Sequence, residues 1–217
     1  MFGRPMPRLI ALMTALAVLA GCATTNEISG PPAELGAFQL GHNVVVASKM
    51  QKVPISRDAT EQEWVDAMTG AIADRFGRYQ GGQLYHLGVS VEGYALAPPG
   101  VPIVATPKSV LAINVTVWDD AAGAKLNEEV RQFVIFESIG DSFLLGSGLT
   151  NTREEQLANL SFNAAREIEK WMASQHRENG WFAPRGPDGE TAPGGLAPIP
   201  AGTASQDVPA PLAADAE

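Results

Sequence analysis

The residues of this chain best suited to chemistry are one cysteine, three histidines and a few serines set among glycines. Cys22 is the only cysteine in 217 residues. A lone thiol excludes an internal disulfide framework and any multi-cysteine metal site. It closes an apolar run, and acylation of its sulfur would account for both its presence and its solitude. His42, His86 and His176 offer no His-x-x-x-His or His-x-Glu spacing that would set two metal ligands on one face, so each reads as a surface or packing residue. Gly146-Ser147-Gly148 lacks the Lys-Ser/Thr that completes a phosphate loop and reads as a flexible loop. Asn114-Val115-Thr116 and Asn159-Leu160-Ser161 match the glycosylation acceptor, but they fall in a strand and a helix, and both are discounted. No cofactor and no metal site are expected.

The segment ahead of Cys22 is built for export. Arg4 and Arg8 make a short positive start, and Leu9 to Ala20 (LIALMTALAVLA) is an apolar stretch of a dozen residues. A bilayer span needs about 20, so the stretch suits a signal-peptide core. Its ending, Leu19-Ala20-Gly21-Cys22, resembles the bacterial lipobox. That resemblance implies a signal peptide over 1–21, cleavage before Cys22, and diacylglycerol on the Cys22 sulfur. Several acyl chains on one residue hold stably, since each buried methylene contributes about 0.8 kcal/mol. Ala23 is not the aspartate of an inner-membrane retention signal, which implies the outer membrane, facing the periplasm.

Gly140-Asp141-Ser142 resembles a block in a lipase and esterase family, in which the serine is the nucleophile. A nucleophilic serine needs a base, and that family takes it from a late Asp-x-x-His. The only late histidine here, His176, has Ala173 at that spacing, and the block lies late in the chain instead of at the first strand-to-helix turn. A polar loop is therefore expected, with a Ser142 esterase as the alternative.

Charge narrows the remaining classes. The formal net charge is −9, and without Arg4 and Arg8 it is two units more negative. Nucleic-acid binding needs clustered Lys and Arg to replace counterions on phosphates, so it is excluded. Anionic lipid head groups offer no attraction either, which leaves the lipidated Cys22 to make any membrane contact.

The elements that must position any site follow from periodicity. Residues 22–40 are rich in Gly, Pro, Ser and Thr and read as a flexible tether. Val44-Val45-Val46 is a short β-branched strand. Thr60-Glu61-Gln62-Glu63 fits a capping box, and Trp64, Met68, Ile72 and Phe76 then recur every four residues along a helix that Gly81-Gly82 stops. Tyr85, Leu87, Val89 and Val91 alternate with His86, Gly88, Ser90 and Glu92 in a half-buried strand. After the proline-rich stretch Ala97–Pro107, Leu111 to Val117 alternates in the same way, with Asn114, Thr116 and Trp118 on its second face. The turn Asp119 to Gly123 predicts a hairpin partner from about Leu126 to Glu137. Phe133 to Phe136 is apolar on both sides, which predicts cover on both faces. Thr152-Arg153-Glu154-Glu155 is a second capping box, opening a helix that carries Leu157, Leu160, Ala164, Ile168, Trp171 and Met172 and ends near Gln175.

The expected fold is α+β: a mainly antiparallel four-stranded sheet with two helices on one face, in the order β-α-β-β-β-α, over residues 41–176. Residues 177–217 are rich in Pro, Gly and Ala without period and are expected to be a disordered acidic tail, with Trp181 and Phe182 docking on the body. The lipobox, the small α+β domain and the tail together resemble small bacterial envelope lipoproteins. The resemblance implies a non-enzymatic accessory or binding protein of envelope transport or assembly, with an envelope protein as partner. Its binding surface would be the sheet face bearing His86, Ser90, Asn114, Thr116 and Trp118, or the Ala97–Pro107 loop.

Overall fold

Two capping boxes start the two helices. Glu63 N–H donates to Thr60 Oγ1 at 3.2 Å while Thr60 N–H donates to Glu63 Oε2 at 2.8 Å, opening α1 (Glu61–Phe76). Thr152 and Glu155 repeat the exchange at 3.1 and 2.7 Å, opening α2 (Arg153–Asn179). Each box satisfies donors that a helix start otherwise leaves bare. The computed structural model describes residues 28–98, 109–137 and 151–186. The chain divides into the units Met1–Gly30 and Pro31–Glu217, and every element named here belongs to the second.

The strands are β1 (Phe38–Val46), β2 (Gln51–Lys52), β3 (Gln83–Ala95), β4 (Val110–Asp119), β5 (Ala124–Lys125) and β6 (Arg131–Phe136). They form one sheet in which β3 and β4 are central. β4 pairs antiparallel with β3, β5 and β6, while β1 and β2 run parallel to β3. The fold is therefore α+β and mostly antiparallel, with six strands where the sequence pattern predicts four. A parallel neighbour needs a crossover, and α1 supplies it between β1 and β3.

One face of the sheet is the core. Trp64, Met68, Ile72 and Phe76 of α1 are fully buried, as are Leu160, Ala164, Ile168 and Met172 of α2. They meet Tyr85, Leu87, Val89 and Val91 of β3 and Leu111, Ile113, Val115 and Val117 of β4 in one cluster. Burial of each large side chain stabilises by about 1.5–3 kcal/mol. Between the helices, Glu169 accepts from Arg75 Nη1 at 2.7 Å and from the Tyr79 hydroxyl at 2.6 Å. Burial, reinforced by that carboxylate, pushes the Tyr79 hydroxyl far above its ordinary range.

Several boundaries differ from the sequence reading. The body takes in Leu35 and Phe38, both buried, from the stretch read as tether, and β1 begins at Phe38 instead of Val44. Helix α1 stops at Phe76, before Gly81, and Gly77 caps it with its N–H on Ala73 C=O at 2.8 Å, the last bond of the helical ladder. Gly81 is needed for a different reason. It lies against the β1 backbone so closely that a Cβ would come within 2.1 Å of the Ala37 carbonyl oxygen. Helix α2 runs a turn beyond Gln175 to Asn179, where Gly180 in the left-handed conformation caps it.

The predicted hairpin strand is broken in two. After β5 the chain leaves the ladder, and Asn127 fills the gap with its side-chain amide. Val117 N–H donates to Asn127 Oδ1 at 2.9 Å, and Asn127 Nδ2 donates to the carbonyls of Val115 and Glu129 at 3.1 and 2.8 Å. Among the described residues β6 is covered on one face only. Phe133 packs against Trp171 of α2, whereas Val134 is 55% and Phe136 58% exposed, contrary to the expectation of cover on both faces.

Trp181 and Phe182 do dock on the body. The Phe182 ring lies 4.8 Å from Tyr85 and 5.1 Å from Phe38, and Phe182 C=O accepts from Ala37 N–H at 2.8 Å. Arg185 pairs with the buried Asp119. The described chain thus continues ten residues past 176, to Gly186.

Candidate functional site

Strand alternation and register build the second face of the sheet. Because Leu87, Val89 and Val91 point into the core, His86, Gly88 and Ser90 point out, and in β4 Asn114, Thr116 and Trp118 do the same. Register then sets Val46, Ser90, Asn114 and Gln132 in one row across four strands. Val44, Gly88 and Thr116 make the next row, and His86, Trp118 and Lys125 a third.

The centre of this face is low and its flanks are high. Gly88 and Ser90 leave little side chain in the middle. Val44 and Val46 on one side and Val130 on the other stand exposed. Together with Glu92, Thr116 and Trp118 they bound an open groove of about 450 Å³. Its flanks are aliphatic and its floor carries a hydroxyl, an amide and a carboxylate. Lys125 holds its ammonium 5.8 Å from the centre of the Trp118 ring, a cation–π contact that fixes the aromatic wall. Apolar walls with a few convergent polar groups are the make-up of a ligand-binding site. Among the described residues no group lining the groove is placed as a nucleophile beside a base.

The five residues expected on this face all lie there, but His86 is set apart from the groove by its own bonds. Its Nδ1 accepts the His42 N–H at 2.8 Å, and its Nε2 faces Asp120 Oδ1 at 2.9 Å. An Nδ1 that accepts requires the ring proton on Nε2, donated to Asp120. Both ring nitrogens are thus engaged. The His42 ring lies 4.8 Å from the His86 ring, so two histidines far apart in sequence are neighbours. The register shift of β1 between Leu40 and Asn43 brings them together, and Gly41 is packed so tightly on the imidazole that a Cβ would lie 2.5 Å from Nδ1. Sequence spacing gave no sign of this cluster; its one local signal was glycine beside histidine in a β-branched strand. His176 is elsewhere, its Nδ1 donating to the Trp181 carbonyl at the end of α2. Among the described residues no group of three His, Cys, Asp or Glu side chains is arranged to hold a metal ion.

Comparison with known proteins adds likeness of structure only. No family model matches the chain, and no curated protein matches it either. Protein XCC0632 from Xanthomonas campestris, of the family DUF330, is similar at 13% identity and a TM-score of 0.37, over 67% of this chain and 93% of that one. PelC from Paraburkholderia phytofirmans, solved as a dodecamer, is similar at 12% identity and a TM-score of 0.35, over 65% and 92%. A minor lipoprotein from Acinetobacter baumannii is similar at 14% identity and a TM-score of 0.26, over 62% and 94%. These likenesses assign no ligand, partner or assembly to this chain.

The other candidates of the sequence fall outside the described residues. Cys22, Ser142 and Gly146-Ser147-Gly148 are among them, as is most of the Ala97–Pro107 stretch. Ala97 itself is buried, its N–H donating to Ser109 Oγ at 3.1 Å and its carbonyl accepting from Gln156 Nε2 at 3.2 Å. No helix among the described residues is long and apolar enough to cross a membrane.

Proposed function

We propose that this chain is a non-enzymatic, lipid-anchored binding protein of the bacterial envelope. Cys22 holds it to the outer membrane on the periplasmic side, and it serves transport or assembly by gripping an envelope protein partner in the groove of its sheet. One observation carries the reading: the groove between Val44, Val46 and Val130 has a built floor and walls, and no helix or described loop covers it. Gly88 gives a clean test. A Cβ there would meet only the Thr116 carbonyl oxygen, at 3.8 Å, which is ordinary contact. Gly88→Val therefore fills the floor while suiting a strand. A photo-crosslinker replacing Thr116 in cells should capture a specific envelope protein. Adding Gly88→Val should cut capture by roughly tenfold, equivalent to about 1.4 kcal/mol, with the unfolding midpoint unchanged. Equal capture by both chains refutes the groove. Ester turnover that Ser142→Ala abolishes would replace the binding reading with the hydrolase one.

A further inference from the structure

Among the described residues, strand β6 ends the sheet on the side away from β1 and pairs only with β4, an edge without the usual protection. Glu137 N–H donates to Ser109 C=O at 3.2 Å, so in this antiparallel ladder the odd-numbered residues turn their backbone groups toward β4. Gln132, Val134 and Phe136 turn theirs outward. Of these, the Phe136 carbonyl accepts from Asn163 Nδ2 of α2 at 3.2 Å, and no described strand pairs with that edge. Natural edges are blunted by Lys, Pro, a bulge or inward charge. From Gln132 to Phe136 there is none of these, and the exposed side chains are Gln132, Val134 and Phe136.

We infer that the β6 edge is an interface between two copies of this chain, joined antiparallel about a two-fold axis at Val134. The edge is self-complementary in this register. Val134 meets Val134, and Gln132 meets Phe136, so the outward N–H and C=O groups of each strand face those of the other. Phe133 falls opposite Ile135. Arg131, whose guanidinium rests 5.4 Å from the Phe133 ring centre, falls opposite Glu137, whose buried Oε2 has no hydrogen-bond partner among the described residues. Charge selects the same strip. On a chain of net charge −9, two copies repel, and Gln132 to Phe136 is an uncharged line along which they can meet. A two-fold axis perpendicular to the sheet keeps both open faces on one side, so the two grooves lie side by side. The interface itself does not depend on what the grooves bind.

Val134→Cys tests the inference in cells that make the full chain. Opposite residues of a hydrogen-bonded antiparallel pair lie about 5.5 Å apart at Cα, within disulfide reach. Val134→Cys should give a disulfide-linked species of twice the chain's mass. The wild type, with Cys22 alone, and Val44→Cys, on the β1 edge, should not. Val134→Pro removes an outward N–H and leaves the β4 ladder intact, and Val134→Lys sets charges against each other at the axis. Both should convert the detergent-purified chain from dimer to monomer in sedimentation while its circular dichroism stays unchanged. A wild-type chain that sediments as a monomer, or dimers that survive both substitutions, overturns it. Linkage through Val44→Cys as strong as through Val134→Cys overturns it too.

Discussion

Asn127 shows how much one side chain can carry in a sheet. It stands where β5 and β6 part, and its amide replaces the backbone that left the ladder, serving Val117 N–H and Val115 C=O at once. Removing it strands two buried backbone groups, and each unsatisfied group costs about 1–3 kcal/mol. Asn127→Ala should therefore lower the unfolding free energy by that order, read as a lower denaturant midpoint at unchanged slope, whereas Asn127→Asp should restore the Val117 bond alone. The His42–His86–Asp120 cluster belongs to the same scale. It is a local lock at the β1 bulge, and both His86 nitrogens are used in holding it. Alternation placed His86 on the correct face, but its partner His42 was invisible, since a bulge has no period.

At the scale of elements, the two helix starts are tied together. Arg153, the first residue of α2, donates to Glu63 Oε1 at 2.6 Å and to the Asp58 carbonyl at 3.1 Å. Glu63 is also the reciprocal member of the α1 capping box. Its bond to Arg153, followed by those to Thr60, lowers its carboxyl from the ordinary 4.5 to about 2. A lowered carboxyl adds stability above its unfolded pKa and loses it as protons bind to the folded form. The contribution is complete above about pH 4.5 and fades as pH falls toward 2. Glu63→Gln keeps the shape of the box and removes the charge, so its stability should be lower near neutrality and should converge on the wild type across that window, read by thermal melts at successive pH. Because the pair is partly exposed, raised salt should shrink the difference. Both capping boxes were legible in Thr-x-x-Glu, because capping is a contact between residues three apart. The ion pair between them was not, since its partners are ninety residues apart and meet only when the helices pack.

Among the described residues the sheet has a covered face and a bare one. Both helices and the segment Trp181–Phe182 lie against the core side, leaving the groove and the β6 edge outward. In the proposed setting the anchor holds one end of the chain at the membrane while the bare face meets its partner. The lipid is testable independently of the fold. Growth with a fatty-acid probe should label the wild type and not Cys22→Ser, and Cys22→Ser should leave the membrane fraction; equal labelling of both removes the anchor.

What the sequence determined by itself was whatever depends on near neighbours. The α1 and α2 stripes, both helix starts, the alternation in β3 and β4 and the turn after Asp119 are contacts or periods within a few residues, and each lies where the pattern put it. What only tertiary structure decided was pairing. That Phe38–Leu40 extends β1, that β1 runs parallel to β3, and that Asn127 splits the hairpin strand depend on groups distant in sequence. So does the bare face of β6. The run Phe133–Phe136 is apolar on both sides, and a period-two pattern cannot say whether the second face meets another layer, solvent or another chain. The groove was half legible. Its polar floor followed from alternation in β3 and β4, but its aliphatic walls come from β1, placed by its parallel register, and from Val130, in the connection between β5 and β6.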